Sequence, residues 1–221
     1  HFEVRDTESE EVLDPIEYFK EKITDTRAPK IQGILICPQQ GKGVVNGSSR
    51  KLELKPVTAK NGKQTITGKI EAWGEIGLAV KAYDYMDNTT NIYGVKDITL
   101  RQDSQIIYHS NLDRFAFDET RYLNSYVDYE EWKDRRSFYM RSFVEPGNRL
   151  RFNESVNRGI IHIGEEKTYH LTYTLADAFG NTTRLSVWIE GKEQEIPEIE
   201  TEGTELFHWM ACLLYTSDAA D

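Results

Sequence analysis

The sequence is short of the residues that would cross-link it or anchor it in a bilayer. Its 221 residues include two cysteines, Cys37 and Cys212, and no apolar run approaches the roughly 18 residues of a membrane-spanning helix. The formal charge of -10 at pH 7 gives the chain an acidic surface, which repels the phosphates of a nucleic acid. We therefore expect no transmembrane segment and no nucleic-acid partner.

The last ten residues do not resemble part of a protein domain. Residues 212–221 are what results from translating the adapter of a transposase-based sequencing library, so we leave them out of fold reasoning. Cys37 is then the one remaining cysteine, and within an apolar run it is expected to be a small buried side chain rather than half of a disulfide. The chain also lacks an initiator methionine, and we expect it to be a gene fragment that is open at both ends.

The first residues predict a strand, a loop and a capped helix. Side chains alternate along a strand, so in His1-Phe2-Glu3-Val4-Arg5 the polar residues share one face and the two apolar residues the other. Asp14 is typical of a helix N-cap, with Pro15 at the first helical position and Glu17 placed to close a capping box. The sequence therefore predicts a helix over residues 15–23.

These two motifs resemble the C-terminal end of the lysostaphin-type (LytM-like) zinc metallopeptidases, which cut peptide cross-links in bacterial peptidoglycan. In that family a strand reading His-x-His-Phe-Glu-x-Arg precedes a loop and Asp-Pro-x-x-Tyr. The match covers residues 1–23 and implies that His1 is a zinc ligand, with the catalytic residues and the other ligands in a missing upstream part. It also implies peptidoglycan peptides as substrates and a periplasmic or extracellular location. The other interpretation is a surface strand that merely begins with histidine.

Beyond this remnant and linker, residues 1–27, the pattern becomes that of an all-β domain over residues 28–191. Polar residues 24–29, which end in Pro29, predict the linker. Ten short β-rich runs separated by turn residues follow. They are residues 31–37, 52–57, 65–70, 76–83, 95–101, 105–109, 114–117, 160–163, 168–175 and 184–189.

Two strands in this domain end in the same turn motif. Asp84 and Asp177 each begin an Asp-x-[Met/Phe]-[Asp/Gly]-Asn-Thr-Thr sequence, which supplies side-chain hydrogen bonds and positive φ angles for a turn. This repeated strand-and-turn motif resembles the B and F strands of bacterial immunoglobulin-like domains and implies one β-sandwich with both turns at the same end. Two tandem sandwiches are the alternative. Asp84, Asp87 and Asp177 would then lie close together, either as calcium ligands or as turn residues alone.

Residues 118–157 are the least strand-like part of the domain. Tyr122, Tyr126, Tyr129 and Trp132 recur at helical spacing and predict a helical insert. One interpretation is that this aromatic stripe is a contact surface for a glycan or an envelope protein. The other, which its helical spacing favours, is that the rings pack the insert onto the domain. Residues 192–211 predict an acidic linker and the start of a further domain.

Two functions fit these patterns. The first is a fragment, itself inactive, of a secreted bacterial zinc metalloendopeptidase in which the immunoglobulin-like domain positions the enzyme or binds its substrate. The second is a non-catalytic envelope binding or scaffolding protein with a degenerate peptidase domain. His162 and His170 lack a third ligand candidate and are expected to be ordinary strand residues.

Overall fold

Extended segments dominate the chain, as the alternating apolar pattern predicts, and the mainly β class is confirmed. The computed structural model describes residues 2–60 and 64–197. In chain order, its strands are β1 Val4–Arg5, β2 Val12–Leu13, β3 Lys30–Val45, β4 Leu52–Leu54, β5 Val57–Thr58, β6 Gln64–Thr65, β7 Glu71–Tyr83, β8 Asp97–Gln102, β9 Gln105–Asn111, β10 Arg114–Phe115, β11 Met140–Arg141, β12 Asn153–Ser155, β13 Ile161–Ile163, β14 Thr168–Ala176 and β15 Thr182–Gly191. The helices are α1 Ile16–Phe19, α2 Leu123–Tyr126 and α3 Tyr129–Arg135, with 3₁₀ turns at Lys20–Lys22, Phe117–Tyr122 and Asn157–Gly159.

The two longest strands, β3 and β7, form an antiparallel pair at the centre of the molecule. Their register runs from Lys30 opposite Tyr83 to Val45 opposite Ala72, with irregularities near Gln32 and between Pro38 and Gly43. Strand β4 extends the pair beside β3, and the short strands β11 and β13 pair with β7. Both strands carry long apolar runs because side chains on both of their faces are buried.

A second group of strands pairs in the order β12, β9, β8, β14 and β15. Strand β15 also pairs in parallel with β6 and with the start of β7, which joins this group to the central pair. Side chains from both groups, such as Leu78, Val80, Leu100, Tyr173 and Val187, belong to one buried apolar cluster. The cluster extends from Ile31 to Ile189, which favours a single domain over two tandem ones.

The insert after β10 covers the outer face of β3 and β7. Tyr139, Phe143 and Ile160 form a second buried cluster with Leu35, Cys37 and Ala79 of that face. Gly33 and Gly77 make room for the insert, because a Cβ atom at Gly77 would lie 2.5 Å from the Phe143 ring and one at Gly33 would lie 2.4 Å from the Tyr139 hydroxyl. The insert is only partly helical, since β11 and β12 also lie within the predicted limits.

A buried carboxylate fixes the start of α3 within the insert. Asp128 is fully buried, accepts from the backbone N–H of Glu131, and pairs with Lys51 at 2.8 Å and Arg141 at 3.3 Å. Burial alone would raise the pKa of Asp128, but the charges of Arg141 and Lys51 outweigh it and hold the pKa below its ordinary value. Because Lys51 belongs to the segment before β4, the ion pair also binds the insert to the central sheet.

The N-terminal segment forms a small sheet with a strand of the main domain. Strand β1 pairs with β2, and β2 pairs with β10. The buried carboxylate of Glu11 pairs with Arg114 at 3.2 Å and with Arg151 at 2.7 Å. Contacts therefore cross the boundary that the sequence places at residues 27 and 28.

Asp14 holds the start of α1, although not through the predicted capping box. Its Oδ1 accepts from the backbone N–H of Ile16 at 2.9 Å. The box is wrong because the Asp14 backbone N–H donates to the carbonyl of Asp113, and Glu17 pairs instead with Lys96. Lys96 also pairs with Asp14 at 3.0 Å, so the helix start is tied to the main domain.

Most predicted strands are found, although the run 114–117 keeps only Arg114–Phe115 and two other runs depart further. The predicted run 52–57 is split into β4 and β5, and Lys55-Pro56 lies between them because proline has no backbone N–H to donate to a neighbouring strand. Of the predicted strand 65–70, only Thr65 is in a strand, β6. The positive φ angle of Gly68, 99°, accounts for the interruption.

The contact of Phe143 with Gly77 predicts a stability effect. We expect Gly77→Ala to lower the free energy of unfolding by about 1–3 kcal/mol, because the added methyl group overpacks the interface between insert and sheet. Gly94→Ala is the matched control, since a Cβ atom there has nothing within 4 Å. Urea unfolding of the two variants measures the difference, and equal stability would mean that the insert moves away at no cost.

Burial of Cys37 predicts its reactivity. The side chain is 4% exposed, and burial raises its pKa to about 12, so almost no thiolate forms near neutral pH. In a Cys212→Ser variant, which leaves Cys37 as the single thiol, we expect iodoacetamide to label the denatured chain and to leave the native chain unlabelled over hours. Mass spectrometry counts the adducts, and rapid native labelling would contradict the packing of the insert over β3.

Candidate metal centre

Two aspartates close the turns that follow β7 and β14, as the repeated sequence motif predicts. Asp84 Oδ1 accepts from the backbone N–H of Tyr85 at 2.9 Å. Asp177 Oδ1 accepts from the backbone N–H groups of Phe179 and Asn181, both at 2.8 Å, and its Oδ2 accepts from the Asn181 side chain at 2.7 Å. Asp177 therefore organises its own turn, as aspartate does in tight turns generally, whereas within the described residues the Asp84 side chain bonds only the next residue.

A third aspartate reaches the same place from the segment that precedes β3. Asp25 Oδ1 accepts from the backbone N–H groups of Arg27 at 3.1 Å and Asp87 at 3.2 Å. The Asp25 carbonyl accepts from the side chain of Asn181 at 3.1 Å. Residues 24–29, predicted to be a linker, are therefore hydrogen-bonded to both turns, and the side chain of Asp25 is buried.

The three carboxylates form one compact acidic group. Each of Asp25, Asp84 and Asp177 offers an oxygen that lies within 4.8 Å of the others, and their residues are 7%, 7% and 6% exposed. Within residues 2–60 and 64–197, none of the three has a Lys, Arg or His nitrogen within the 4.0 Å of a salt bridge. Asp25 Oδ2 is buried and has no hydrogen-bond partner in the part of the chain described.

The electrostatics of the group are clearest at Asp84. Burial raises the pKa of its carboxyl to about 6, and the negative charges of Asp177 and Asp25 add to this effect. The N–H group of Tyr85 and the charge of Arg27 oppose the rise only in part. Three carboxylates in one buried space therefore repel one another unless a proton or a cation intervenes.

Comparisons with protein-family models, with curated proteins and with solved structures found no match to this chain.

The structure brings together two of the three aspartates that the sequence singles out. Asp87 differs, because its Oδ2 accepts from the backbone N–H and the hydroxyl of Thr26 at 3.0 Å and 2.9 Å. Asp25 takes the third place in the group. Sequence reasoning missed Asp25 because it lies 59 positions before Asp84, in a polar stretch that carries no periodic signal.

The histidines do not form a second metal site in the described residues. The ring of His170 stacks on that of Trp188 with centroids 3.9 Å apart, and His109 pairs with Asp97 at 2.7 Å. His162 lies exposed in β13. His1, the implied zinc ligand, lies outside the described residues, and the acidic group is the one set of three metal-binding side chains found in residues 2–60 and 64–197.

The aromatic stripe of the insert divides into a buried and an exposed part. Tyr126 is buried and packs edge-on against Phe152. Tyr129 is 39% exposed and Phe138 46% exposed, and both lie beside Trp132 with ring centroids 5.7 Å and 6.4 Å away. Packing thus explains part of the stripe, and an aromatic surface remains open to solvent.

Among the described residues no helix is long and apolar enough to cross a bilayer.

The repulsion within the acidic group predicts how stability changes with pH. The pKa of Asp84 is about 6 in the folded chain against an ordinary value of 3.8, so its contribution is most favourable below about pH 4 and is lost as the pH rises through 6. With a chelator present, we expect Asp84→Asn, which keeps the Oδ1 acceptor, to be more stable than the native chain at pH 7 by on the order of 2–3 kcal/mol and equal to it near pH 4.

Urea unfolding at the two pH values measures this difference. Asp103→Asn serves as a control, because Asp103 is an exposed turn residue with a positive φ angle that asparagine also adopts. The same gain for both variants, or a gain that does not depend on pH, would show that the Asp84 carboxylate is not destabilised by its neighbours.

Proposed function

We propose that this chain is a fragment of a secreted bacterial zinc metalloendopeptidase of the lysostaphin (LytM-like) type, which hydrolyses peptide cross-links of peptidoglycan. In this proposal residues 1–27 are the C-terminal end of the peptidase domain, and residues 28–191 are an immunoglobulin-like β-sandwich with an accessory role. The protein acts in the periplasm or outside the cell. The observation that carries the proposal is an uncovered apolar surface beside the sequence motif.

Residues 2–23 expose four large apolar side chains. Phe2 is 67% exposed, Tyr18 60%, Phe19 37% and Ile23 36%, and the rings of Phe2 and Phe19 contact each other edge-on at 5.5 Å. Contiguous exposed aromatic side chains mark surfaces that another part of a protein covers. A peptidase core packed on this side would cover them and would extend the sheet that β1 begins.

The pairing order of the main domain supports the immunoglobulin-like interpretation. Strand β14 lies between β8 and β15, and β7 lies between β3 and β13. The hairpin of β8 and β9 corresponds to strands C and C′ of that fold, with β7 as B, β14 as F and β15 as G. Both repeated turns then lie at one end, where Asp84 and Asp177 approach each other.

The described residues do not fit zinc, so the chemistry belongs to residues upstream of Phe2. Structural and catalytic zinc sites take most of their ligands from histidine and cysteine, and the acidic group contains neither. Residues 2–27 have a supporting role in this proposal. Glu11, Asp14 and Glu17 pair with Arg114 and Lys96 and thereby attach the peptidase end to the accessory domain.

The second candidate is a non-catalytic envelope protein that binds a glycan or a protein partner. The exposed side chains of Tyr129 and Phe138, on either side of the half-buried Trp132, favour it. The Arg136 guanidinium lies 4.8 Å from the centre of the Trp132 ring. Aromatic rings with polar neighbours suit partly apolar, hydrated ligands. The same surface would serve the accessory domain of an active peptidase, so the two candidates differ only in the upstream part.

The test is to restore the upstream coding sequence and to measure zinc content and cleavage of cross-linked peptidoglycan peptides. We expect the restored protein to bind zinc and to cleave, and His1→Ala to lose both properties, while His162→Ala, at an exposed histidine of β13, retains them. The 221-residue chain alone should bind zinc no better than its own His1→Ala variant, because one imidazole leaves the ion mostly to water.

Two results would change the conclusion. Full activity in the His1→Ala protein would reject the family assignment. A restored protein that carries an upstream histidine and aspartate in the family's pattern, yet neither binds zinc nor cleaves, would support the binding or scaffolding protein instead.

A further inference from the structure

The acidic group joins three separate parts of the chain at one end of the molecule. Asp84 directly follows β7, Asp177 directly follows β14, and Asp25 belongs to the segment that leads into β3. We propose that Asp25, Asp84 and Asp177 bind one calcium ion, which fixes the segment before β3 to the two turns. This site does not depend on the peptidase proposal, since none of its ligands comes from the zinc motif.

Charge is the first argument for a cation. Turn formation alone accounts for Asp84 and Asp177, but it does not require their carboxylates to meet in a buried space. Ionised carboxylates away from water are costly unless a counter-charge or a metal neutralises them. No basic side chain among the described residues forms a salt bridge with any of the three, and a divalent ion would supply the missing charge.

An unpartnered oxygen is a second and independent indication of a ligand. Asp25 is only 7% exposed. Its Oδ1 accepts hydrogen bonds from the backbone N–H groups of Arg27 and Asp87. Its Oδ2 is buried without any hydrogen bond in the described residues. A buried acceptor of this kind is rare in folded proteins and calls for a partner such as an ion or a water molecule.

The three oxygens lie close enough together to share one calcium ion. All three lie within 4.8 Å of one another, so an ion with bonds of about 2.3–2.6 Å reaches them with shifts of a few tenths of an ångström. Magnesium demands a near-ideal octahedral geometry and keeps several of its own waters, so three carboxylates from separate parts of a chain suit it less well than calcium. Water completes the six to eight oxygens that calcium takes.

The hydrogen bonds around the group explain what the ion would control. The amides of Arg27 and Asp87 both donate to Asp25 Oδ1, and Thr26 donates to Asp87. These contacts hold residues 25–27 against the turn after β7. Without the ion, repulsion among the carboxylates pushes this segment away from the turns; with the ion, the segment is fixed.

Calorimetric titration and thermal unfolding of the 221-residue chain test the proposal. We expect calcium to bind at one site with a Kd of about 10⁻⁴–10⁻³ M, as in extracellular modules, and to raise the Tm by about 3–5 °C at ten times that concentration relative to a chelator. Asp25→Asn and Asp84→Asn should lose the calcium response. Both variants should be at least as stable as the native chain in chelator, which separates lost binding from misfolding.

Amide hydrogen exchange locates the ion. Calcium should slow exchange of the Arg27 and Asp87 amides and leave that of Tyr169, at the opposite end of β14 from Asp177, unchanged. Asp103→Asn, at an exposed turn, should respond to calcium like the native chain.

Three results would overturn the proposal. In the first, calcium neither changes the Tm nor produces binding heat. In the second, Asp25→Asn and Asp84→Asn respond to calcium as strongly as the native chain. In the third, magnesium raises the Tm as much as calcium does. The first would mean that a proton or water satisfies the group, the second that calcium binds elsewhere, and the third that the site does not select calcium.

Discussion

The structure depends on burying one antiparallel strand pair, β3 with β7, on both of its faces. One face packs against β8, β14 and β15, and the other is covered by Tyr139, Phe143 and Ile160 of the insert. Burial of apolar area on this scale is the main favourable term in folding. The insert is therefore part of the core, although its own helices are only four and seven residues long.

Covering a sheet with an irregular segment creates polar groups that must be satisfied. The Tyr139 hydroxyl donates to Glu53 at 2.8 Å, and the buried Tyr173 hydroxyl donates to Ser142 at 2.9 Å. Asp128 is matched by two cations, Lys51 and Arg141, because removing one partner of a buried pair would leave an uncompensated charge. The acidic group around Asp84 contrasts with this arrangement, since in the described part of the chain none of its carboxylates forms a salt bridge and only the nearby charge of Arg27 acts on Asp84.

The sequence pattern predicted the strands whose position depends on the burial of neighbouring residues along the chain. The runs around Ile34 and Leu78 and the alternation through Tyr173 and Val187 were identified as strands, because apolar periodicity follows directly from burial. The interpretation of the Asp84 and Asp177 motifs as related turns also agrees with their positions. The sheet built from β1, β2 and β10 could not be predicted, since it depends on pairing between residues about 100 positions apart.

The candidate site shows the same division. Asp84 and Asp177 could be named from a repeated motif, whereas Asp25 could not, because its position follows from how residues 24–29 cross the end of the sheets. The resemblance to a zinc peptidase motif is the opposite case, since it rests on a sequence pattern whose proposed ligand, His1, lies outside the described residues.

The path of the chain through the central strand pair sets the distance between the points where the chain enters and leaves the domain. Lys30 enters opposite Tyr83, and Gly191 leaves beside Ala72. These two points lie at opposite ends of β7, roughly 35 Å apart at the usual rise per residue of a strand. A domain whose ends are neighbours can be inserted into a loop of another protein. In this domain the chain instead enters and leaves at opposite ends of β7, so the segments before Lys30 and after Gly191 start from opposite ends of the central strand pair.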